Sequence, residues 1–93
     1  VDAWSEAAMV QALERIEPPR AVLGGGTNLI VSDEGFDGIV LRYRGSAITP
    51  VRLPSGDCLV VEAGADLDAL VCHTVERGLS GLECLRRIPG WVG

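Results

Sequence analysis

The clearest pattern of apolar and polar positions in this chain is a helical stripe in residues 66–77. Apolar or small side chains repeat there every three or four positions, which places them on one face of a helix. Asp66 is suited to cap the start, and Gly78 is suited to the left-handed residue after the end. The stripe consists of Leu67, Leu70, Val71, Thr74 and Val75. The sequence therefore predicts a capped amphipathic helix.

The rest of the pattern predicts a second helix and four strands. Residues 4–16 also have helical periodicity, and a proline pair ends it. Short apolar runs between turn residues predict strands over 20–23, 38–42, 48–53 and 58–63. Pro50 places the third of these strands at a sheet edge, and Pro54–Asp57 is typical of a hairpin turn. Hairpin-linked strands between flanking helices indicate an α+β fold.

Charge and cysteine content narrow the classes of ligand. The formal net charge of −5 argues against a nucleic-acid or anionic-membrane surface, which would need clustered Lys and Arg. An anionic small molecule stays possible, because backbone amides bind phosphate without net positive charge. Three cysteines without Cys-x-x-Cys spacing, and a single histidine, predict no metal site. We expect reduced thiols in a cytoplasmic protein.

A glycine-rich loop directly follows the strand predicted over 20–23. Its sequence, from Gly24 to Asn28, is Gly-Gly-Gly-Thr-Asn. Residues without a Cβ allow close approach of the backbone to a ligand, and successive amides can converge on an anion. The Gly-x-Gly-x-x-Gly spacing fails at Leu29, and no Gly-Lys-Ser/Thr follows. Taken alone, the loop fits either a phosphate site or a tight structural turn.

Three runs of the sequence together resemble the bacterial UDP-N-acetylenolpyruvoylglucosamine reductases, also called UDP-N-acetylmuramate dehydrogenases. The first run extends from Val22 through the glycine loop to Gly38, and the second is Val61–Ala65. The third is Gly78–Leu85, followed by Ile88-Pro89-Gly90 and Val92-Gly93. The runs lie in the order expected for that family, and the resemblance covers nearly the whole chain from Arg20 onward.

The resemblance implies an FAD-binding domain of the PCMH or vanillyl-alcohol-oxidase type, with the flavin between two α+β subdomains. It implies reduction of an enolpyruvyl ether on a UDP-sugar with NADPH, through FAD, to give the peptidoglycan precursor UDP-N-acetylmuramate. Two groups of residues would bind the cofactor. By resemblance, the pyrophosphate would be held by Gly24, Gly25, Gly26, Thr27 and Asn28, and the flavin would be lined by Ile88, Pro89, Gly90 and Gly93.

The chain departs from the family pattern at two places. Arg86-Arg87 stands where the family usually has Ser-Gly or another small or apolar pair, and Trp91 stands where it usually has Ser or Thr. The family's catalytic arginine, serine proton donor and glutamate belong to later segments, so no catalytic residue is assigned. We expect residues 1–93 to be a partial FAD-binding domain, truncated at both ends, without a second domain.

Two alternatives to the reductase remain open at this point. One is a different flavo-oxidoreductase that shares the FAD domain, and the other is a non-catalytic nucleotide-binding or structural fragment. Flavin content separates the second alternative from both flavoenzymes. Other carboxylates are expected to be structural: Asp33 and Glu34 in a solvated turn, and Glu83 as an acceptor for loop amides.

Overall fold

A computed structural model describes all 93 residues of the chain. In chain order, the elements are β1 (Asp2–Ala3), α1 (Glu6–Arg15), β2 (Arg20–Leu23), β3 (Ile39–Tyr43), β4 (Ile48–Leu53), β5 (Gly56–Val61), α2 (Leu67–Glu76) and a 3-10 turn (Glu83–Leu85). Both predicted helices and all four predicted strands form, with shifts of a residue or two at their ends. Two helices and two small sheets confirm the α+β class.

The first sheet is parallel, which the sequence did not predict. Its strand order is β1-β3-β2, and Leu23 at the end of β2 lies opposite Arg42 of β3. The long loop of residues 24–38 connects β2 to β3, so the prediction of hairpin-linked strands is wrong for this sheet. β1 has only two residues, too few to show an alternating pattern. The glycine loop therefore leaves the sheet at the carboxyl end of β2, where parallel sheets commonly bind ligands.

The second sheet is the predicted hairpin. β4 and β5 pair antiparallel, with Leu53 opposite Gly56 across a two-residue turn. Gly56 has φ +130°, which a residue with a side chain rarely adopts. Because the sheet has only two strands, both are edge strands, and Pro50 fits although it has no N–H to donate. The prediction that Pro50 marks an edge is confirmed.

Side chains cap both helices at their N-termini. Ser5 Oγ accepts a hydrogen bond from the Ala8 N–H at 3.2 Å, and Asp66 Oδ1 accepts one from the Ala69 N–H at 2.8 Å. Each cap satisfies an amide that has no partner within its helix. Gly78 follows α2 with φ +69°, as the sequence predicted. The cap at Asp66 fixes the start of α2, where Leu67 lines the candidate site.

The core is small. The largest side chains that are completely buried are Leu41 of β3 and Val71 of α2, and seven of the 93 residues are buried in all. A chain with so little buried surface has a narrow margin of stability, so single contacts outside the core matter. Neither helix has the length and apolar character needed to cross a membrane.

Candidate functional site

The glycine loop Gly24–Asn28 is shaped by two different requirements for glycine. Gly26 has φ +77°, and a Cβ there would meet nothing within 4 Å, so its backbone conformation is what favours glycine. At Gly24 the reason is close approach, since a Cβ would lie 2.8 Å from the carbonyl oxygen of Gly93. The loop therefore turns sharply and also touches the C-terminal end of the chain.

The backbone amides of this loop are free. No N–H group from Gly24 to Asn28 donates a hydrogen bond to an acceptor within the chain. Consecutive unpaired amides at the end of a strand are suited to bind an anion, because several donors converge without any charged side chain. Thr27 and Asn28 add a hydroxyl and a side-chain amide beside them.

The second segment, Ile88–Gly93, is held firmly by backbone hydrogen bonds. The Leu67 N–H donates to the Gly90 carbonyl oxygen at 3.0 Å, and the Val92 N–H donates to the Ala65 carbonyl oxygen at 2.9 Å. The Gly93 N–H donates to the Ala63 carbonyl oxygen at 2.9 Å. These bonds fix the segment against the chain that leads into α2.

The two segments face each other across one groove of about 400 Å³. They approach closely at Gly90 as well, where a Cβ would lie 3.3 Å from Thr27 Oγ1. All nine residues that the resemblance implied line this groove: Gly24, Gly25, Gly26, Thr27, Asn28, Ile88, Pro89, Gly90 and Gly93. The groove is at the small end of the range for ligand pockets, so it suits part of a dinucleotide such as its diphosphate. Free amides and an open surface at Gly26 fit that group.

Four further residues line the groove and were not among the predicted site residues: Leu23, Leu29, Leu67 and Trp91. Leu67 begins α2, and its helical periodicity marked it only as a core position. Trp91 was noted as a departure from the family pattern. A signal for its place in the groove was its position between Gly90 and Gly93, both predicted to line the site.

Larger concavities lie elsewhere, along the hairpin. One of about 510 Å³ is formed by β4, β5 and the residues that follow α2, including Arg77 and Leu79. Its strands use part of their backbone amides in pairing with each other, and no glycine lines it. Volume alone therefore does not identify the site, and the groove with free donors is the better candidate.

Arg86-Arg87 has a structural role beside the groove. Arg87 has φ +62° and is the only residue other than glycine with a left-handed backbone. Its N–H donates to Asp68 Oδ1 at 2.6 Å. Arg86 Nη1 lies 3.3 Å from Asp68 Oδ2 and also contacts Cys72 Sγ. Asp68 therefore holds both arginines in place, and the left-handed conformation gives a physical reason for a glycine at position 87 in the family pattern.

Carboxylates near the two segments serve structure. Hydrogen bonds from the backbone N–H groups of Glu83 itself and of Gly81 lower the pKa of Glu83. This confirms the expectation that Glu83 accepts from loop amides. The hydrogen bond from the Tyr43 hydroxyl, at 2.5 Å, lowers the pKa of Glu62, with a further contribution from the Ala47 N–H. Both carboxylates are thus acceptors that stay ionised.

The predicted solvated turn at Asp33 and Glu34 is confirmed. Both residues are exposed, and the turn closes through the Gly35 N–H, which donates to the Ser32 carbonyl oxygen at 2.8 Å. The Ser32 hydroxyl accepts a second hydrogen bond from the Glu34 N–H at 3.3 Å. The two carboxylates lie outside the groove and take no part in it.

Comparison with known proteins gives one family and a consistent set of relatives. The model of a family described as "FAD binding domain" matches residues 6–93. A UDP-N-acetylenolpyruvoylglucosamine reductase of Nocardia farcinica is 50% identical over 86 residues, which are 92% of this chain and 22% of the relative. That of Saccharopolyspora erythraea is 57% identical over 76 residues, 77% of this chain and 20% of the relative.

A third reductase of the same name, from Thermobifida fusca, is 42% identical over 87 residues, which are 92% of this chain and 24% of the relative. The chain thus spans about a fifth to a quarter of the length of the curated relatives that it matches. The family match includes both segments of the groove.

Proposed function

This chain belongs to the FAD-binding domain family, and we propose that its groove binds the diphosphate of FAD. The observation that carries the proposal is the run of free backbone amides from Gly24 to Asn28, at the carboxyl end of a parallel strand. Such amides bind a doubly charged diphosphate without a cationic side chain. The net charge of the chain does not oppose this, because the donors act over hydrogen-bond distances.

The second segment has a different role in the proposal. Its Gly90 carbonyl group and its Val92 and Gly93 amides are hydrogen-bonded to residues 63–67, so Ile88, Pro89, Gly90 and Gly93 form a fixed wall on which the cofactor lies. Glycine at positions 90 and 93 leaves that wall without side chains at these two positions. A Cβ at Gly93 would lie 2.6 Å from the Ala63 Cβ, so the wall cannot carry a side chain there.

The parent activity that we propose is reduction of UDP-N-acetylglucosamine enolpyruvate to UDP-N-acetylmuramate with NADPH. Support comes from the three relatives described above, which are all named as UDP-N-acetylenolpyruvoylglucosamine reductases. Residues 1–93 would be a partial domain of the PCMH or vanillyl-alcohol-oxidase type in a cytoplasmic enzyme, with the catalytic residues in later segments. FAD supplies the hydride-transfer chemistry, while these residues bind and orient it.

A second candidate is a different flavo-oxidoreductase that uses the same FAD domain. The observation that favours it is Trp91, which brings an indole into the groove at a position where the reductases usually have a small hydroxyl residue. A bulky ring at the cofactor would suit another substrate geometry. Both candidates share FAD, so they differ in turnover and not in cofactor content.

A chimera tests the proposal. The matching 86-residue stretch of the Nocardia farcinica reductase is replaced with that of this chain, and the unmodified reductase is the control. We expect the purified chimera to carry FAD in a ratio near one to one, seen by visible absorption. We also expect it to oxidise NADPH only with the enolpyruvyl UDP-sugar present. The chain of residues 1–93 alone should show no turnover.

Each result separates the candidates. FAD without turnover on the enolpyruvyl UDP-sugar would favour the different flavo-oxidoreductase. A chimera that folds, as judged by circular dichroism, but contains no FAD would contradict both flavoenzyme proposals and favour a structural fragment.

A further inference from the structure

Trp91 is held beside the glycine loop by its own backbone. It lies opposite Asp66 in an antiparallel bridge, between the hydrogen bond from Leu67 to Gly90 and the one from Val92 to Ala65. This places the indole against the loop. A Cβ built on Gly25 would lie 3.4 Å from Trp91 Cδ1 and Cγ and 3.5 Å from Nε1. These near-equal distances place Gly25 over the face of the pyrrole part of the ring, so that Nε1 lies beside the loop.

The indole N–H of Trp91 is an unused donor that solvent can reach. Trp91 Nε1 donates to no acceptor within the chain. His73 Nε2 is the only buried side-chain nitrogen or oxygen without a partner, so the unpaired Trp91 Nε1 is not buried. Trp91 as a whole is half-buried, so its packing is fixed while Nε1 stays accessible. An indole N–H is a donor only and cannot act as an acceptor. Its chemistry therefore matches that of the free loop amides next to it.

Arg44 holds the ring from another side. Its guanidinium carbon lies 5.0 Å from the centroid of the Trp91 ring, within the range of a cation–π contact. Arg44 is itself positioned, because its N–H donates to the Ala3 carbonyl oxygen at 2.7 Å and its Nη1 lies 3.7 Å from Asp2 Oδ2. The contact fixes the ring from outside the groove, while the charge of Arg44 is balanced by Asp2 and its guanidinium carbon also lies 5.2 Å from the centroid of the Trp4 ring.

We propose that Trp91 is a diphosphate-binding residue, and that its Nε1–H acts together with the free amides of Gly24–Asn28. The inference rests on the proposed function of the groove and deepens it. Trp91 then keeps a hydrogen-bond donor at the position where the resembling family usually has a hydroxyl, and it supplies this donor from a rigid ring. Glycine at position 25 is what leaves room for the ring beside the loop.

The chain offers a direct spectroscopic test, because it contains two tryptophans and so gives two indole N–H resonances in a nitrogen-15 correlation spectrum. Trp4→Phe assigns them. Trp4 is 67% exposed and does not line the groove. Titration with FAD should shift the Trp91 resonance and leave that of Trp4 in place. ADP, which has the diphosphate but no flavin ring, should shift it in the same direction.

The outcomes separate this inference from the proposed function. A shift of the Gly24–Asn28 amides with no shift of the Trp91 indole would overturn the role of Trp91 and leave the proposed diphosphate site standing. No shift of either group at saturating FAD would overturn both. A shift with FAD but none with ADP would also overturn the inference, because the ring would then sense the flavin and not the diphosphate.

A matched pair of variants gives an affinity measurement. Trp91→Phe keeps an aromatic ring against Arg44 and Gly25 but removes the N–H, so the Kd for FAD should rise about tenfold or more, as for a hydrogen bond to a charged group. Trp4→Phe removes the other indole N–H and should change Kd less than about twofold. Equal Kd values for Trp91→Phe and the unmodified chain, measured by calorimetry, would overturn the inference.

Discussion

The two sides of the groove are built on opposite principles. The first side, Gly24–Asn28, donates no backbone hydrogen bond within the chain. The second side, Ile88–Gly93, engages two amides and one carbonyl group in hydrogen bonds with residues 63–67. One side thus keeps its hydrogen-bonding capacity for a ligand, while the other uses it to stay rigid. A site of this kind needs both, because free donors bind well only when the opposite wall is fixed.

Glycine has a different purpose on each side. On the loop, Gly26 needs a left-handed backbone and has open space around it. On the rigid side, Gly93 has an ordinary conformation but lies against Ala63, so that no Cβ would fit. Glycine therefore allows a left-handed backbone in one segment and a close contact between two chain segments in the other. Substitutions on the loop should therefore affect cofactor binding most, whereas those beside the rigid side should affect the free energy of unfolding.

The largest effect is expected for Gly25→Val in the chimeric reductase. A Cβ at this position already lies 3.4 Å from the Trp91 ring, so the branched methyl groups would collide with the indole or with the ligand. Overpacking of this kind costs about 1–3 kcal/mol, and the loss of backbone approach adds to it, so we expect FAD binding to be abolished. The measurement is the flavin content of the purified protein.

The control for Gly25→Val introduces valine elsewhere in the long loop of residues 24–38, outside the glycine loop. Asp37 is exposed and does not line the groove, so Asp37→Val should leave FAD content unchanged. Stoichiometric FAD in Gly25→Val would show that the loop is only a turn, and the proposed difference between the two sides would fail.

The next effect concerns the rigid side and the free energy of unfolding. Asp68→Ala removes the acceptor for the Arg87 N–H, the partner of Arg86 and an acidic residue in the first turn of α2. We expect a loss of about 1–2 kcal/mol, since hydrogen bonds to charged groups and favourable charges at a helix N-terminus each contribute on that scale. Urea unfolding of the chain, followed by circular dichroism, measures it.

Asp57→Ala is the matched control for Asp68→Ala. Asp57 Oδ1 lies 3.2 Å from Arg52 Nη1, but both side chains are mostly exposed. Such surface pairs contribute less than about 0.5 kcal/mol. If the two variants lost equal stability, Asp68 would contribute no more than an exposed ion pair, and it would not anchor the second segment.

Sequence reasoning recovered local elements well and long-range pairing poorly. The stripe in α2 and the caps at Asp66 and Gly78 depend on neighbouring residues, so they were predicted with correct positions. The parallel pairing of β2 with β3 depends on contacts across a long loop, and β1 is too short to show a period. Both were missed for that reason.

The groove residues came from the resemblance, whereas the role of Arg87 came only from geometry. All nine residues that the resemblance implied lie together in one groove, although no spacing rule linked residues 24–28 to 88–93. Arginine itself gives no sign that the chain at position 87 is left-handed, because it rarely adopts that conformation, and the one signal was the glycine that the family usually has there. The dihedral angle and the Asp68 contact were needed to see it.

The smallest expected effect tests this strain directly. Arg87 has φ +62°, which is costly for a residue with a Cβ and costs glycine nothing. Relief of about 1–2 kcal/mol of backbone strain exceeds the entropy that glycine loses on folding, about 0.5–1 kcal/mol, so Arg87→Gly should raise the free energy of unfolding by roughly 0.5–1 kcal/mol. Arg77→Gly is the control of opposite sign, because Arg77 has φ −92° and glycine there should cost about 0.5–1 kcal/mol.

Combining Arg87→Gly with Asp68→Ala shows whether Asp68 restrains a strained backbone. If Asp68 holds the left-handed turn in place, its removal should cost less once glycine occupies position 87, because glycine adopts the turn without help. The two changes would then be non-additive by about 0.5 kcal/mol or more, the usual scale for residues in contact. Strict additivity, or a loss of stability in Arg87→Gly, would mean that the rigidity of the second side comes from its hydrogen bonds to residues 63–67 and not from the Asp68 contact.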